Sequence, residues 1–193
     1  MTGALSLTTS RRAYIDALRE EYASTITQVL GIVGFALLTA LGAQYRIYLW
    51  EVPISLQTMA VYGSGLYLGW RNGLLSQVLY ISLGLLFPVF AGEGMGIAYF
   101  YAAASAGYIV AYPLAAAAIG YLSREWKTFA GSSLSMVLGA AIIFTIGVTW
   151  LHFAAGHATL WESLDKGFFR FVLIDAAKIA LLALVYAGSR RVK

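Results

Sequence analysis

An acidic and a basic side chain lie near the middle of an apolar stretch, GFFRFVLIDAAKIALLALVYA at residues 167–187. Asp175 and Lys178 are three residues apart, so on a helix they share one face and can meet. The stretch is apolar enough to cross a bilayer, where a charged group is costly and usually has a partner or a function. The spacing therefore predicts a polar pair inside a helix bundle. It is either a structural ion pair that joins helices or a contact point for a bound ligand.

The composition is that of an integral membrane protein. Of the 193 residues, 60% are hydrophobic and 11% are charged, whereas soluble domains hold about 25% charged residues. The chain has no cysteine, which excludes disulfides, thiolate catalysis and cysteine metal sites. The basic residues lie in short loops and tails, so the net charge of +4 does not indicate nucleic-acid binding.

Runs without charged residues predict six membrane-spanning helices. A spanning helix needs about 20 mostly apolar residues. These runs and the stretch around Asp175 place the spans at 25–43, 54–69, 73–89, 98–122, 131–153 and 168–187. The predicted fold is therefore an all-α bundle of six transmembrane helices, in one membrane domain over residues 25–193. A polar N-terminal tail over residues 1–24 precedes it, and residues 11–22 have the pattern of a surface-lying or ordinary juxtamembrane helix.

The distribution of Lys and Arg predicts the orientation in the membrane. With six spans both chain ends lie on one side, which receives Arg11, Arg12, Arg19, Arg71, Arg124, Lys127, Arg190, Arg191 and Lys193. The other side receives only Arg46, Lys166 and Arg170. Basic residues accumulate in cytoplasmic loops, so we expect both termini to lie in the cytoplasm. We expect the protein to lie in the plasma membrane of a prokaryotic cell. Asp175 then lies roughly 10 Å from the outer end of its helix, which suits a site that opens outward.

Two outer loops and the start of the second span could complete a pocket. The first outer loop, residues 44–53, is rich in aromatic residues, which are either interface anchors or a cover over the site. The second span begins VPISLQT, which places Gln57 at its outer end. In PVFAGEGMG, residues 88–96, three glycines in five residues provide a backbone that a ligand can approach closely.

Metal binding and hydrolysis are poorly supported. His152 and His157 are five residues apart and would face different ways on a helix, so we interpret them as interfacial and assign no metal ligand. The Gly-Ser-Gly sequence at 63–65 suggests an intramembrane serine protease, but Tyr62 stands where a Gly-x-Ser-Gly motif needs glycine. Neither histidine lies on a helix with an obvious serine partner. An intramembrane enzyme is the least favoured alternative, and no catalytic residue is assigned.

Four motifs occur in order along the chain: VPISLQT (52–58), LGWRNG (68–73), LYISLGLLFPVFAG (79–92) and the D-x-x-K of the last span. Together they resemble the motifs of the BioY family, the biotin-binding S components of energy-coupling-factor transporters. The resemblance covers roughly residues 36–187. It implies six helices, cytoplasmic termini, a biotin pocket near the outer face and no cofactor. It also implies that ATP hydrolysis belongs to separate partner subunits, and no Walker motif is present in this sequence.

The resemblance also implies a set of ligand-binding residues: Asp175, Lys178, Gln57, Gly92, Gly107 and Tyr108. For biotin, Lys178 could pair with the carboxylate, and Asp175 could accept from the ureido N–H groups. The chemistry of the sulfur ring favours aromatic walls, for which Phe90, Tyr108 and Trp50 are candidates. These residue types do not decide which end of biotin meets which side chain.

Ala36 and Ala40 match the small-x-x-x-small pattern by which S components dock on their transmembrane coupling subunit. From the spacing alone, packing inside this bundle is an equal alternative. The sequence also departs from the family pattern at three places. Leu173 and Ile174 replace Pro-Gly before the aspartate, residues 103–108 read AASAGY in place of Gly-Pro-Thr-Gly-Gly-Tyr, and Glu93 replaces a glycine. These departures leave an S component for a different vitamin as the first alternative.

Overall fold

The structure is a computed structural model that describes residues 13–48 and 51–190. Residues 1–12 of the predicted tail, Trp50 of the first outer loop and the basic residues at 191 and 193 lie outside this part. Predictions that rest on them stay predictions. After a short 3₁₀ helix at Tyr14–Leu18, the described residues are mostly α-helical.

The helices are α1 (Thr25–Gln44), α2 (Gln57–Leu68), α3 (Trp70–Leu86), α4 (Gly96–Ala102), α5 (Ala106–Leu122), α6 (Phe129–Ala154), α7 (Leu160–Leu164) and α8 (Arg170–Ser189). Between α1 and α2, the strands β1 (Arg46–Ile47) and β2 (Ile54–Ser55) form an antiparallel hairpin. In this hairpin Arg46 pairs with Ser55 and Ile47 with Ile54. A π-helical turn at Asp165–Phe169 joins α7 to α8.

Five of the predicted spans each correspond to one helix, namely α1, α2, α3, α6 and α8. The second helix begins later than predicted because Ile54–Ser55 is paired as a strand. The third ends earlier, at Leu86, because Phe87 precedes a proline. Phe87 adopts the extended conformation (φ −132°, ψ 153°) that the residue before proline prefers.

The prediction of a single helix over 98–122 is wrong. This segment is divided into α4 and α5, which are bent by 105° across residues 103–105. Ala103 is extended, and its carbonyl accepts a hydrogen bond from Nε1 of Trp150 at 3.0 Å. The hydroxyls of Ser105 and Tyr99 bond to each other at 2.8 Å. The bend is thus held by side chains from α4 and α6, which a run of small apolar residues does not reveal.

Two of the described helices, α1 and α6, are long and apolar enough to cross a membrane. The bent pair α4 and α5 would supply a third crossing if it forms one span. Helix α2 is shorter, at 12 residues, and α8 carries Asp175 and Lys178 along its length.

Helix α5 lies at the centre of the bundle, packed against α2, α3 and α6. Its small residues make this possible, since Ala111, Ala115 and Ala116 are fully buried. A Cβ atom added to Gly65 of α2 would lie 2.5 Å from the carbonyl oxygen of Ala116. The two backbones therefore meet directly, as small residues allow in membrane helices. Helix α8 packs against α2 and α6.

The bundle has two ends of different character. At the terminal end, which comprises residues 13–24, 119–128 and 190, the buried Arg19 donates to the carbonyl oxygens of Leu66 and Gly120, each at 2.9 Å. At the loop end, which comprises residues 44–56, 87–95 and 155–169, the connecting segments contact one another. There Lys166 Nζ donates to Glu51 Oε1 at 2.8 Å, and Gln44 Nε2 donates to the carbonyl oxygen of Val89 at 3.4 Å.

Candidate ligand-binding site

Asp175 and Lys178 lie on the face of α8 that is turned toward α2. Asp175 is buried, with 5% of the residue exposed. Lys178 Nζ is 3.9 Å from Asp175 Oδ1, which is too long for a hydrogen bond. The predicted pair therefore exists as neighbouring charges, but the two groups do not bond directly.

The hydroxyl of Thr58 links the two charges. Lys178 Nζ donates to Thr58 Oγ1 at 3.0 Å, and Thr58 Oγ1 donates to Asp175 Oδ1 at 3.1 Å. A lysine ammonium has donors but no acceptor, so the hydroxyl must accept from Lys178 and direct its own hydrogen toward Asp175. The three groups form one directed chain across α2 and α8.

A second residue of α2 holds the other carboxylate oxygen. Tyr62 is fully buried, and its hydroxyl donates to Asp175 Oδ2 at 2.5 Å. Thr58 and Tyr62 are four residues apart, so they present their hydroxyls from one face of α2. Lys178 Nζ also donates to the carbonyl oxygen of Ser55 at 2.7 Å. Both charges are thus fixed from α2 and from the strand that precedes it.

The side chain of Gln57 lies beside Asp175 and Lys178 and is also fixed by two hydrogen bonds. Its Nε2 donates to the hydroxyl of Tyr80 at 2.7 Å, and its Oε1 accepts from Ser55 Oγ at 2.9 Å. Gln57, Thr58, Asp175 and Lys178 line one small cavity, which we call the polar pocket. Its remaining walls are apolar or aromatic and include Val52, Pro53, Tyr108, Tyr112, Phe144 and Phe171.

The polar pocket is closed in this structure. Its volume is about 50 Å³, whereas small-molecule sites usually enclose about 300–1,000 Å³. An open cavity of about 440 Å³ adjoins it, shares Ser55, Ile174 and Lys178 with it, and is lined further by Arg46 and the β1–β2 hairpin. A second open cavity of about 390 Å³ shares Phe144 and Asp175 with the polar pocket. A ligand held by Asp175 and Lys178 would therefore have room to extend after the wall toward one of these spaces moves.

The structure brings four of the predicted ligand-binding residues together at the polar pocket: Gln57, Tyr108, Asp175 and Lys178. Tyr108 also donates from its hydroxyl to the carbonyl oxygen of Gly167 at 2.9 Å. Three others lie elsewhere, namely Phe90, Gly92 and Gly107.

Phe90 is fully buried in an aromatic cluster, with ring centroids 4.7 Å from Tyr99 and 5.6 Å from Tyr80. Gly107 faces α6 instead of the polar pocket. A Cβ atom there would lie 2.1 Å from Cβ of Trp150, so the missing side chain permits close helix packing. Both residues support the bundle around the site without lining the polar pocket.

Gly92 lies where the loop between α3 and α4 meets the first outer loop. Its φ is +76°, and an added Cβ atom would lie 2.7 Å from the hydroxyl of Tyr48. Glu93, which follows, also has a positive φ of 61°. A positive φ suits glycine and is unfavourable for a residue with a side chain, so the glycine that the resemblance implies at position 93 would fit this backbone better than Glu93 does.

The predicted docking pair does not lie on a surface. Ala36 is 0% exposed and Ala40 is 9% exposed, and both belong to the buried core. This corrects the docking prediction, because a partner helix cannot reach either methyl group while α1 keeps its packing against α2 and α3. The exposed side of α1 carries larger residues instead, among them Leu30, Leu37 and Leu41.

The two histidines converge, contrary to the prediction that they face different ways. His152 Nδ1 and His157 Nδ1 each lie 3.0 Å from Ser163 Oγ, because the chain turns back after α6. Among the described residues, no group of three or more His, Cys, Asp or Glu side chains is arranged to hold a metal ion. The serine of the Gly-Ser-Gly sequence, Ser64, donates to the carbonyl oxygen of Val61 and accepts from Gln77, so its hydroxyl faces an amide instead of a base.

Sequence reasoning missed Tyr62 as a site residue and did not assign Thr58 a partner. The available signal was their spacing, since Thr58 and Tyr62 are polar groups four residues apart in an otherwise apolar helix that follows Gln57. Tyr112 was missed because α5 was treated as a wall of small residues. Its ring lies directly against the polar pocket.

These features define a class of protein: a helical bundle with membrane-compatible helices and a small, closed polar pocket between the start of α2 and helices α5, α6 and α8. The BioY family model matches residues 15–193, and the chain belongs to the BioY family. It is 40% identical over 153 residues to the probable biotin transporter BioY of Lysinibacillus sphaericus, and the alignment covers 78% of this chain and 76% of that protein. It is 34% identical over 152 residues to the biotin transporter BioY of Thermotoga maritima, and the alignment covers 78% of this chain and 88% of that protein.

The fold is also similar to a solved structure, that of the S-component for biotin from an ECF-type ABC transporter. The TM-score is 0.79 at 24% sequence identity, and the match covers 89% of this chain and 96% of the other. At this level of identity the match concerns the fold alone.

Proposed function

We propose that this chain is the membrane-embedded, biotin-binding S component of an energy-coupling-factor uptake transporter. Membership of the BioY family and relatives named as biotin transporters support this function. The observation that carries it is the polar pocket, in which Lys178 offers donors and Asp175 offers acceptors between aromatic walls. Such a site suits a ligand with a compact polar head and an apolar body.

The distance between Asp175 and Lys178 orients biotin. The ureido ring and the carboxylate are at opposite ends of biotin, separated by the sulfur ring and an alkyl chain. Two charges that lie 3.9 Å apart contact the same end of the ligand. That end is the ureido ring, because it carries N–H donors for Asp175 and a carbonyl acceptor for Lys178. The biotin carboxylate would be repelled by Asp175 at this position.

The carboxylate of biotin therefore extends toward the open cavity beyond Lys178. Arg46 lines that cavity, and a guanidinium there provides a charge-assisted partner for a carboxylate. This orientation replaces the simpler expectation that Lys178 takes the carboxylate. The aromatic residues Tyr108, Phe144 and Phe171 then surround the sulfur ring.

The proposal includes the finer membrane arrangement: six spans, both termini in the cytoplasm of a prokaryotic cell, and one membrane domain over 25–193 after a tail at 1–24. The support is the bias of nine basic residues against three between the two sides. Cysteines introduced at Ser10 and at Gly188 test it, since the chain has no native cysteine. Both should be protected from an impermeant thiol reagent in intact cells, and labelling of either would contradict the arrangement.

The proposed partners are a transmembrane coupling subunit and ATP-binding subunits. We propose no catalytic residue, no metal and no cofactor for this chain itself. The buried positions of Ala36 and Ala40 argue that the coupling subunit uses another part of the surface. Pull-down of tagged protein from a host that expresses the coupling and ATP-binding subunits measures this association directly.

The function is tested by the small molecule that accompanies the protein. We expect mass spectrometry of protein purified in mild detergent to find biotin, and calorimetry of ligand-free protein to detect biotin but neither thiamine nor riboflavin. Recovery of another vitamin with no biotin binding would favour an S component of different specificity.

A further inference from the structure

We infer that Thr58 and Tyr62 are positioning residues, which hold Asp175 and Lys178 so that the polar pocket recognises a cyclic urea. This inference rests on the proposed biotin-binding function and adds two residues to it. Neither residue needs to touch the ligand in this role. Each acts through the charged groups that it orients.

The first argument is the number of hydrogen-bonding positions that remain. A lysine ammonium has three donors. Two are occupied in this structure, one by the carbonyl oxygen of Ser55 and one by Thr58 Oγ1. One donor therefore remains, which is sufficient for a single carbonyl oxygen such as that of a ureido group.

The second argument is the state of the carboxylate. Asp175 accepts from Thr58 at Oδ1 and from Tyr62 at Oδ2. A carboxylate has about four acceptor positions, so roughly half stay available for N–H groups of a ligand. Because both oxygens are already held by hydroxyl donors, the group presents acceptors in a fixed plane. The N–H groups of a cyclic urea are also fixed in a plane.

The third argument is what Thr58 prevents. The two charges lie 3.9 Å apart with a hydroxyl bonded to both. Without that hydroxyl, Lys178 would gain by turning its free donor to Asp175 in a direct ion pair. The donor and the acceptor that the ligand needs would then satisfy each other. Thr58 thus keeps the pair apart and available.

The buried position of Tyr62 strengthens its assignment. The side chain is fully buried, and its hydroxyl has Asp175 as its hydrogen-bond acceptor at 2.5 Å. The hydroxyl reaches Asp175 from α2, so it also fixes α8 relative to α2 at the depth of the pocket. Removal of the hydroxyl leaves one carboxylate oxygen free to turn within the site.

The test is calorimetry of biotin binding to the full-length protein in detergent, with melting temperature measured in parallel. The variants are Thr58→Val, Thr58→Ser and Tyr62→Phe. We expect Thr58→Val and Tyr62→Phe to bind biotin roughly 10- to 100-fold more weakly, the range for one hydrogen bond to a charged group. Thr58→Ser keeps the hydroxyl and should stay within a few-fold of the wild type.

Two matched controls remove a threonine hydroxyl and a tyrosine hydroxyl at positions that lie outside the polar pocket. Thr39→Val alters a buried threonine of α1 whose hydroxyl donates to the carbonyl oxygen of Phe35 at 2.8 Å. Tyr67→Phe alters a tyrosine of α2 that packs against Tyr186, with ring centroids 5.3 Å apart. Both controls should change melting temperature at most and leave the affinity for biotin unchanged.

A second ligand separates positioning from simple support. Biotin methylated on a ureido nitrogen lacks one donor for Asp175, so the wild type should strongly prefer biotin. The Thr58→Val and Tyr62→Phe variants should lose most of this preference, because their carboxylate is no longer held to read both N–H groups. A merely structural role would weaken both ligands by the same factor and keep the preference intact.

Several results would overturn the inference. Folded Thr58→Val and Tyr62→Phe proteins with wild-type affinity, or equal losses in Thr58→Val and Thr58→Ser, would do so while biotin binding by the wild type stands. Absence of biotin binding by the wild type would instead overturn the proposed function and this inference with it. Should Thr58→Val not fold, Thr58→Ala compared with Thr58→Ser asks the same question of the hydroxyl.

Discussion

The carboxylate of Asp175 and the ammonium of Lys178 lie 3.9 Å apart, with the hydroxyl of Thr58 bonded to both. A direct ion pair would use the strongest hydrogen bond of each group internally. A pair joined through a hydroxyl keeps a donor and acceptors available at little cost in electrostatic attraction. The proposed recognition of a ligand requires such free hydrogen-bonding positions, whereas a purely structural ion pair does not.

The first prediction concerns this pair. Asp175→Ala and Lys178→Ala should each abolish measurable biotin binding and destabilise the protein by about 3–5 kcal/mol, because each leaves the other charge buried and unpaired. The double variant Asp175→Leu with Lys178→Met removes both charges and should recover most of the lost stability. Melting temperature and calorimetry, measured on the same preparations, separate the two effects.

The double variant decides between the two roles of the pair. If the pair reads the ligand, the double variant folds but does not bind biotin. If the pair only joins α2 to α8, the double variant should fold and bind nearly as the wild type does. Near-wild-type affinity in a folded double variant would remove Asp175 and Lys178 from the site.

The sequence allowed part of this site to be predicted. Asp175 and Lys178 stand out because ionisable residues are rare in apolar stretches, and Gln57 stands out for the same reason at the start of α2. The motif around Tyr108 identified the correct region of α5. It could not show that Tyr108 faces the polar pocket while the adjacent Gly107 faces α6, since a motif gives sequence position without side-chain direction.

The remaining differences also have physical causes. Ala36 and Ala40 share one face of α1, but spacing cannot tell whether that face meets the bundle or a partner. The bend between α4 and α5 depends on Trp150, which is distant in sequence. The apolar ring of Phe90 suits the wall of a pocket, yet it packs against Tyr99 and Tyr80 and is completely buried.

A second prediction concerns access to the polar pocket. Val52 and Pro53 form part of its wall, and the preceding residue, Glu51, bonds to Lys166 at 2.8 Å. Glu51→Gln weakens this attachment, so we expect biotin to dissociate several-fold faster, as measured by displacement of labelled biotin. Glu162→Gln removes the other carboxylate beside Lys166 and keeps the Glu51 contact, so its dissociation rate should match the wild type.

The same contact predicts a pH dependence. The hydrogen bond from Lys166 holds the pKa of Glu51 below its ordinary value. The ion pair of such a carboxyl group is intact at pH values above the ordinary pKa. It is lost when the pH falls through the lowered pKa, because the carboxylate then becomes protonated. Dissociation from the wild type should therefore accelerate only in acid, while Glu51→Gln should show no such acceleration. Equal acid dependence in both proteins would contradict a role for this contact.

A third prediction concerns the loop between α3 and α4. Glu93 has a φ of 61°, a conformation that costs a residue with a side chain about 1–2 kcal/mol. Glu93→Gly should therefore raise the melting temperature, by an amount that corresponds to about 1 kcal/mol. Gly92→Ala is the opposite change at the neighbouring position, where φ is +76° and Tyr48 is close, and it should lower the melting temperature. An unchanged or lower melting temperature for Glu93→Gly would contradict the prediction.

The last prediction concerns the terminal end of the bundle, where Asp16 is 1% exposed. Its carboxylate accepts from the N–H of Ala13 at 2.9 Å, from Arg190 and from Lys127 Nζ at 3.5 Å. Asp16→Asn leaves these buried cations without their counter-charge, so we expect a loss of about 3–5 kcal/mol of stability at neutral pH. Glu125→Gln, which removes an exposed carboxylate from the adjacent loop, should leave the melting temperature unchanged.

Acidification should reproduce the effect of Asp16→Asn in the wild type. Burial raises the pKa of Asp16, but the hydrogen bond from Ala13 and the charges of Arg190 and Lys127 outweigh it, so its pKa lies below the ordinary value. The stabilisation is therefore fully present above the pKa of an unfolded aspartate, about 3.9, and is lost as pH falls through the lower folded value. Melting temperatures measured from pH 7 downward should fall for the wild type and converge on those of Asp16→Asn. A constant difference between the two proteins down to pH 2 would show that Asp16 does not supply this stability through its charge.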